Sequence, residues 1–148
     1  MVTVVIAAHG ELAEALVHTA SMIFGNMEDV ASVTFKPGEG VENLLNKYSV
    51  IIPDTQKDVL FLVDLLGGSP YNAASRFVAD KKNMDIVSGV NLPMLVEVLG
   101  KRLGGSDLKA MVQTAKKAGV DGIQAFHEWF DEQQMVNSTR AEEGDELG

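Results

Sequence analysis

Two side chains far apart in the chain carry the chemistry that this sequence can do. His9 directly follows the apolar run at residues 2–8, and Asp64 directly follows the apolar run at residues 59–63. A carboxylate that accepts from one imidazole N–H fixes the tautomer of the ring and leaves the other nitrogen with a free lone pair. Such a ring is a nucleophile: attack on a phosphoryl donor gives a phosphohistidine, and the carboxylate stabilises the ring while it is positive. Phosphoryl transfer also needs in-line positioning and groups that hold the three equatorial oxygens. The candidate cradle is the backbone N–H groups of Gly67, Gly68 and Ser69, with the Ser69 hydroxyl, at the start of a helix. Gly10, beside the histidine, lets a partner approach closely.

His9 and Asp64 meet only if the fold brings their strand ends together. Residues 2–8 (VTVVIAA) and 59–63 (VLFLV) are continuous apolar runs, the pattern of strands buried on both faces of a parallel sheet. Residues 30–35 alternate like a strand, and residues 85–90 give a fourth. Apolar residues at helical spacing predict a helix from Leu12 to Ile23, stopped by Gly25, and a second from Val41 to Ile52, closed by Pro53 and Asp54. A third helix takes Ser69 as N-cap and Pro70 as its first residue and runs through Val78. Asn91, Leu92 and Pro93 open a fourth, and a last helix runs from about Asp107 to Ala118, beyond Gly104 and Gly105. Gly122 to Phe130 fits a short edge strand or a frayed helix equally well.

Strand alternating with helix predicts a single α/β domain, a doubly wound and mostly parallel sheet with right-handed crossovers. Ligands of such sheets bind beyond the carboxyl ends of the strands, where the strand order reverses. With the order 2-1-3-4, the first and third strands are neighbours. His9 and Asp64 then lie side by side although 55 positions separate them. Taken singly, Asp64 suits a loop cap as well as a catalytic pair, and Gly-Gly-Ser-Pro is a common turn and helix start. His18 and His127 read as incidental, and Trp129 as a cover for apolar surface or an interface.

Composition narrows the classes. The 148 residues suit one core, with 46% hydrophobic and 22% charged residues. A formal net charge of −9, with no cluster of Lys or Arg, argues against a nucleic-acid partner. The absence of cysteine excludes thiolate catalysis, disulfides and cysteine zinc sites, and fits a reducing cytosol. There is no GxxxxGK[ST] and no GxGxxG after a strand, and the histidines lack the spacing of a helical zinc site, so neither cofactor nor metal is expected. A receiver domain needs acidic residues after its first strand; Ala7, Ala8 and His9 stand there instead. No apolar run approaches the roughly 20 residues of a membrane helix. Residues 1–130 are expected to form the domain, and residues 131–148 an acidic tail or the start of a linker.

Four dispersed stretches, VIAAHGELAEAL, FKPGEGVENL, VLFLVDLLGGSPYNAASR and VSGVNLPMLVEVL, resemble the IIA component of mannose-type (mannose/fructose/sorbose) sugar phosphotransferase systems. The likeness covers about residues 1–125, in order. It implies four parallel strands plus a fifth, antiparallel strand that can be exchanged in a homodimer, which would account for the segment around Gly122 to Phe130. By this resemblance His9 is the phosphorylated residue, through Nε2, Asp64 bonds its other nitrogen, and Gly67, Gly68, Ser69 and Pro70 form the active-site loop. The implied donor is the phosphorylated histidine carrier protein HPr. The implied acceptor is a IIB component that serves a membrane permease (IIC/IID), which places the protein in the cytoplasm with association to the membrane through that complex. Related chains can carry Trp where Leu66 stands, a departure that bears on partner contact and leaves the chemistry untouched. Two alternatives stand beside this reading: a related donor subunit for dihydroxyacetone kinase, over which the Gly-Gly-Ser-Pro block and Asn91-Leu92-Pro93 favour the sugar-transport branch, and a regulatory module that senses phosphorylation without passing it on.

Overall fold

The computed structural model describes residues 1–147. Its elements run β1 (Thr3–His9), α1 (Leu12–Phe24), β2 (Val30–Phe35), α2 (Val41–Ile51), β3 (Val59–Val63), α3 (Ser69–Val78), β4 (Met84–Ser88), α4 (Leu92–Leu103), α5 (Leu108–Asp121) and α6 (Phe126–Leu147). The four strands pair in parallel in the order β2-β1-β3-β4, as the spacing predicts.

Successive strand side chains point to opposite faces, so a strand that is apolar throughout needs a cover on both sides. Val4, Ile6 and Ala8 of β1, with Leu60 and Leu62 of β3, pack under α1, α4 and α5 through Ala13, Ala20, Leu95, Val98 and Met111. Val5 and Ala7 of β1, with Val59, Phe61 and Val63 of β3, pack under α2 and α3 through Leu44, Tyr48, Ala73, Ala74 and Phe77. The central strands thus lie between two cores, packed on both faces. At the opposite end of the sheet Arg102 is buried. Its Nε donates to the Val2 carbonyl at 2.7 Å and its Nη2 to the Glu28 carbonyl, tying α4 to the chain on either side of α1.

Three boundaries differ from expectation for local reasons. The fourth strand begins at Met84 and stops at Ser88 because Gly89 turns the chain at φ +79°. The N-cap of α3 is Gly68, not Ser69; Ser69 and Pro70 are its first two residues. Gly68 is extended and its carbonyl accepts the Asn72 N–H at 2.9 Å, the first bond of the helix. Pro70 in second place still costs nothing, because N–H groups in the first turn have no partner within the helix.

The third difference is at the carboxyl end. Residues 122–125 lie outside any strand, and Phe126 opens α6, which takes in residues 131–147 of the expected tail. Among the described residues the sheet has four strands and no fifth. A strand satisfies its backbone only against a neighbour, whereas a helix does so alone, and this segment takes the helix from Phe126 onward. Every residue from 121 to 140 is exposed, Phe126, Trp129 and Phe130 among them. Among the described residues no helix is long and apolar enough to cross a membrane.

Candidate active site

The order β2-β1-β3 sets the ends of three strands side by side. His9 is the last residue of β1 and pairs with Phe35, the last residue of β2; Asp64 is the first residue beyond β3. The Asp64 carboxylate gathers three donors: Oδ2 accepts the His9 backbone N–H at 2.9 Å and lies 2.8 Å from His9 Nδ1, while Oδ1 accepts the Leu65 N–H at 2.9 Å. An ionised carboxylate only accepts, so Nδ1 carries the proton and Nε2 keeps its lone pair. Burial alone would raise the Asp64 carboxyl, but the hydrogen bonds from the His9 N–H, the His9 ring and the Leu65 N–H outweigh it and hold the group below its usual value. The carboxylate is therefore the charged form at neutral pH, where it faces the ring as an acceptor. Its side chain is 11% exposed and that of His9 45%, so the orienting group is shielded while the ring stays accessible.

The ring is fixed on two further sides. Phe35 meets it in a T-shaped contact, centroids 5.4 Å apart and planes at 88°. Gly68 closes from the loop: a Cβ there would stand 2.9 Å from His9 Cε1, closer than carbon atoms pack. The loop Leu65 to Gly68 reaches this approach through Gly67, at φ +81°, a conformation that glycine adopts without cost.

The Gly68 N–H is engaged, contrary to its expected place in the cradle. It donates to the Leu65 carbonyl at 3.2 Å and closes a turn, so the position matters for its missing side chain. Ser69 lies in the first turn of α3, where backbone N–H groups have no helical partner. His18 sits on α1 and His127 on α6; neither shares a bond with the His9–Asp64 pair.

One supporting residue was hidden in the sequence. Tyr48 fits the apolar face of α2, yet its hydroxyl donates to the Pro70 carbonyl at 2.9 Å, across to the first turn of α3. It is fully buried against Phe61 and Phe77. Burial, reinforced by the charge of Asp64, pushes its phenol far above the usual value, so it remains a donor. A buried tyrosine hydroxyl must find a partner, but which carbonyl serves depends on how α2 and α3 meet.

Comparison with known proteins places the chain in a family. The family model described as "PTS system fructose IIA component" matches residues 3–116. The chain is 45% identical over 127 residues to the phosphotransferase-system mannose-specific EIIAB component of Escherichia coli, covering 84% of this chain and 39% of that protein. It thus spans about two fifths of that relative's length. It is 37% identical over 145 residues to the fructose-specific EIIA component of Bacillus subtilis, covering 97% of this chain and 99% of the other. The crystal structure of a phosphotransferase-system EIIA component from Streptococcus agalactiae superposes with a TM-score of 0.80 at 26% identity, over 86% of this chain and 99% of that one. The protein belongs to the mannose-type family of phosphotransferase-system EIIA components.

Proposed function

We propose that this protein is the phosphoryl carrier of a phosphoenolpyruvate-dependent sugar phosphotransferase system, acting in the cytoplasm. Nε2 of His9 attacks the phosphorus of phospho-HPr; the N–P bond of the donor breaks and its electron pair returns to the donor histidine. The same exchange in reverse, with a IIB component as acceptor, hands the group toward the sugar at the membrane permease. The observation that carries this is the 2.8 Å contact between His9 Nδ1 and Asp64, which leaves Nε2 as the free nucleophile on an accessible ring. Asp64 balances the positive charge of the ring, and N–H groups at Gly67 and Ser69, with the Ser69 hydroxyl, receive the equatorial oxygens. Leu65 and Leu66, exposed in the loop between Asp64 and Gly67, suit contact with the partner proteins.

Label followed from phosphorylated protein to a purified IIB domain tests the hand-over. Transfer within seconds is expected. Label that stays on His9 would mark a sensing module, and label that passes only to dihydroxyacetone kinase would place the chain in the other branch.

Gly68→Ala should slow phosphoryl uptake about 100-fold, the cost of displacing a reacting group by roughly an ångström. A single-turnover rate within twofold of wild type would show that the ring tolerates displacement.

A homodimer by strand exchange completes the reading. The outer edge of β4 is open, and Ile123, Phe126, Trp129 and Phe130 stand exposed in the single chain. Pairing of this segment with β4 of a second copy would satisfy both. Light scattering at micromolar concentration should give twice the chain mass; a monomer mass there would remove strand exchange.

A further inference from the structure

We propose that Asn72 is a positioning residue for phosphoryl transfer: its side-chain amide locks the Gly67–Gly68 peptide so that the loop turns no carbonyl oxygen toward the incoming phosphoryl group. This rests on the carrier role proposed for His9.

Asn72 holds two successive carbonyls of the loop. Its backbone N–H donates to the Gly68 carbonyl at 2.9 Å, as any residue at this place in a helix does. Its Nδ2 donates to the Gly67 carbonyl at 3.0 Å, five residues back, which helix geometry does not require. The peptide so held joins two glycines, the first at φ +81°, and no side chain at either end resists its rotation. In the structure its carbonyl points to Asn72 and its N–H to the Leu65 carbonyl.

Rotation of this peptide would exchange the two groups. The oxygen would then take the side to which the N–H now points, toward the Leu65 carbonyl, in a loop whose Gly68 packs directly against the His9 ring. A carbonyl dipole with its negative end toward a phosphoryl group opposes transfer, whereas N–H groups favour it. The Gly68 N–H bond to Leu65 alone closes an ordinary turn, and the Asn72 amide is the side-chain restraint added to it.

The test compares Asn72→Ala and Asn72→Asp in single-turnover uptake from phospho-HPr near pH 7.5, with Gly68 amide hydrogen exchange measured in parallel. Asn72 is exposed, and both variants should fold. Asn72→Ala should slow uptake about tenfold at saturating donor, with the half-saturating donor concentration unchanged, and should speed Gly68 exchange. Asn72→Asp keeps the shape but puts a charged acceptor against the Gly67 carbonyl, so it should be at least as slow as the alanine variant. A role in packing alone predicts the reverse order. An aspartate variant as fast as wild type, or a loss confined to donor affinity, would overturn the clamp while the wild-type protein is phosphorylated normally. Wild-type protein that takes up no phosphoryl group would overturn the carrier role instead, and this inference with it.

Discussion

His9→Ala is expected to abolish phosphoenolpyruvate-dependent sugar phosphorylation by the reconstituted system, a loss of at least about 10⁴-fold, while the protein stays folded. The ring is half exposed and belongs to neither core, so its removal leaves the packing of β1 intact. The backbone N–H of residue 9 still reaches Asp64, so the strand ends remain tied. What disappears is the imidazole at the carboxyl edge of the central strands: His18 and His127 are on α1 and α6. Unfolding should shift by no more than about 1 kcal/mol, the ordinary range for an accessible side chain. Activity retained above that limit, or label found on another residue, would remove His9 from the mechanism.

Asp64→Ala is expected to slow phosphoryl uptake about 10²- to 10³-fold, within the range seen when an orienting carboxylate is lost from a histidine. Without it Nδ1 has no acceptor, the ring populates both tautomers, and the positive charge formed on attack has no partner. An unchanged uptake rate would show that the carboxylate does not orient the ring. The same residue sets an acid limit on stability. Its folded-state carboxyl lies below the usual value, so the ionised form favours the fold; the contribution is complete above the unfolded value near pH 4 and is lost as the pH falls through the folded value. Asp64→Ala should therefore lose less stability than wild type as the pH falls below about 4. Parallel acid-unfolding curves of the two proteins would contradict this.

The sheet and the His9–Asp64 pair were legible because their signals are local. An unbroken apolar run such as VLFLV needs cover on both faces, which only a central strand between helix layers provides. Once β1 and β3 are neighbours, residues just past their ends meet, so His9 and Asp64 follow from topology with no knowledge of contact. The supporting residues were not legible in the same way. The need for glycine at position 68 comes from a 2.9 Å approach to a ring 59 positions earlier, and the partners of Tyr48 and Asn72 depend on how α2 and α3 seat against the loop. The start of α3 moved by one residue because Gly68, with no capping side chain, already supplies the extended geometry and the first carbonyl. The carboxyl segment was ambiguous for a different reason: helix or strand depends on whether the segment finds a sheet edge to pair with, which its local pattern does not contain.

The most direct test of the carrier role is the intact mass of the protein after incubation with phosphoenolpyruvate, enzyme I and HPr. A gain of about 80 Da, one phosphoryl group, that is lost on brief acid treatment is the predicted result. No gain while HPr itself becomes phosphorylated would contradict the role of His9 as a phosphoryl acceptor, and a gain that survives acid would place the group on a hydroxyl instead.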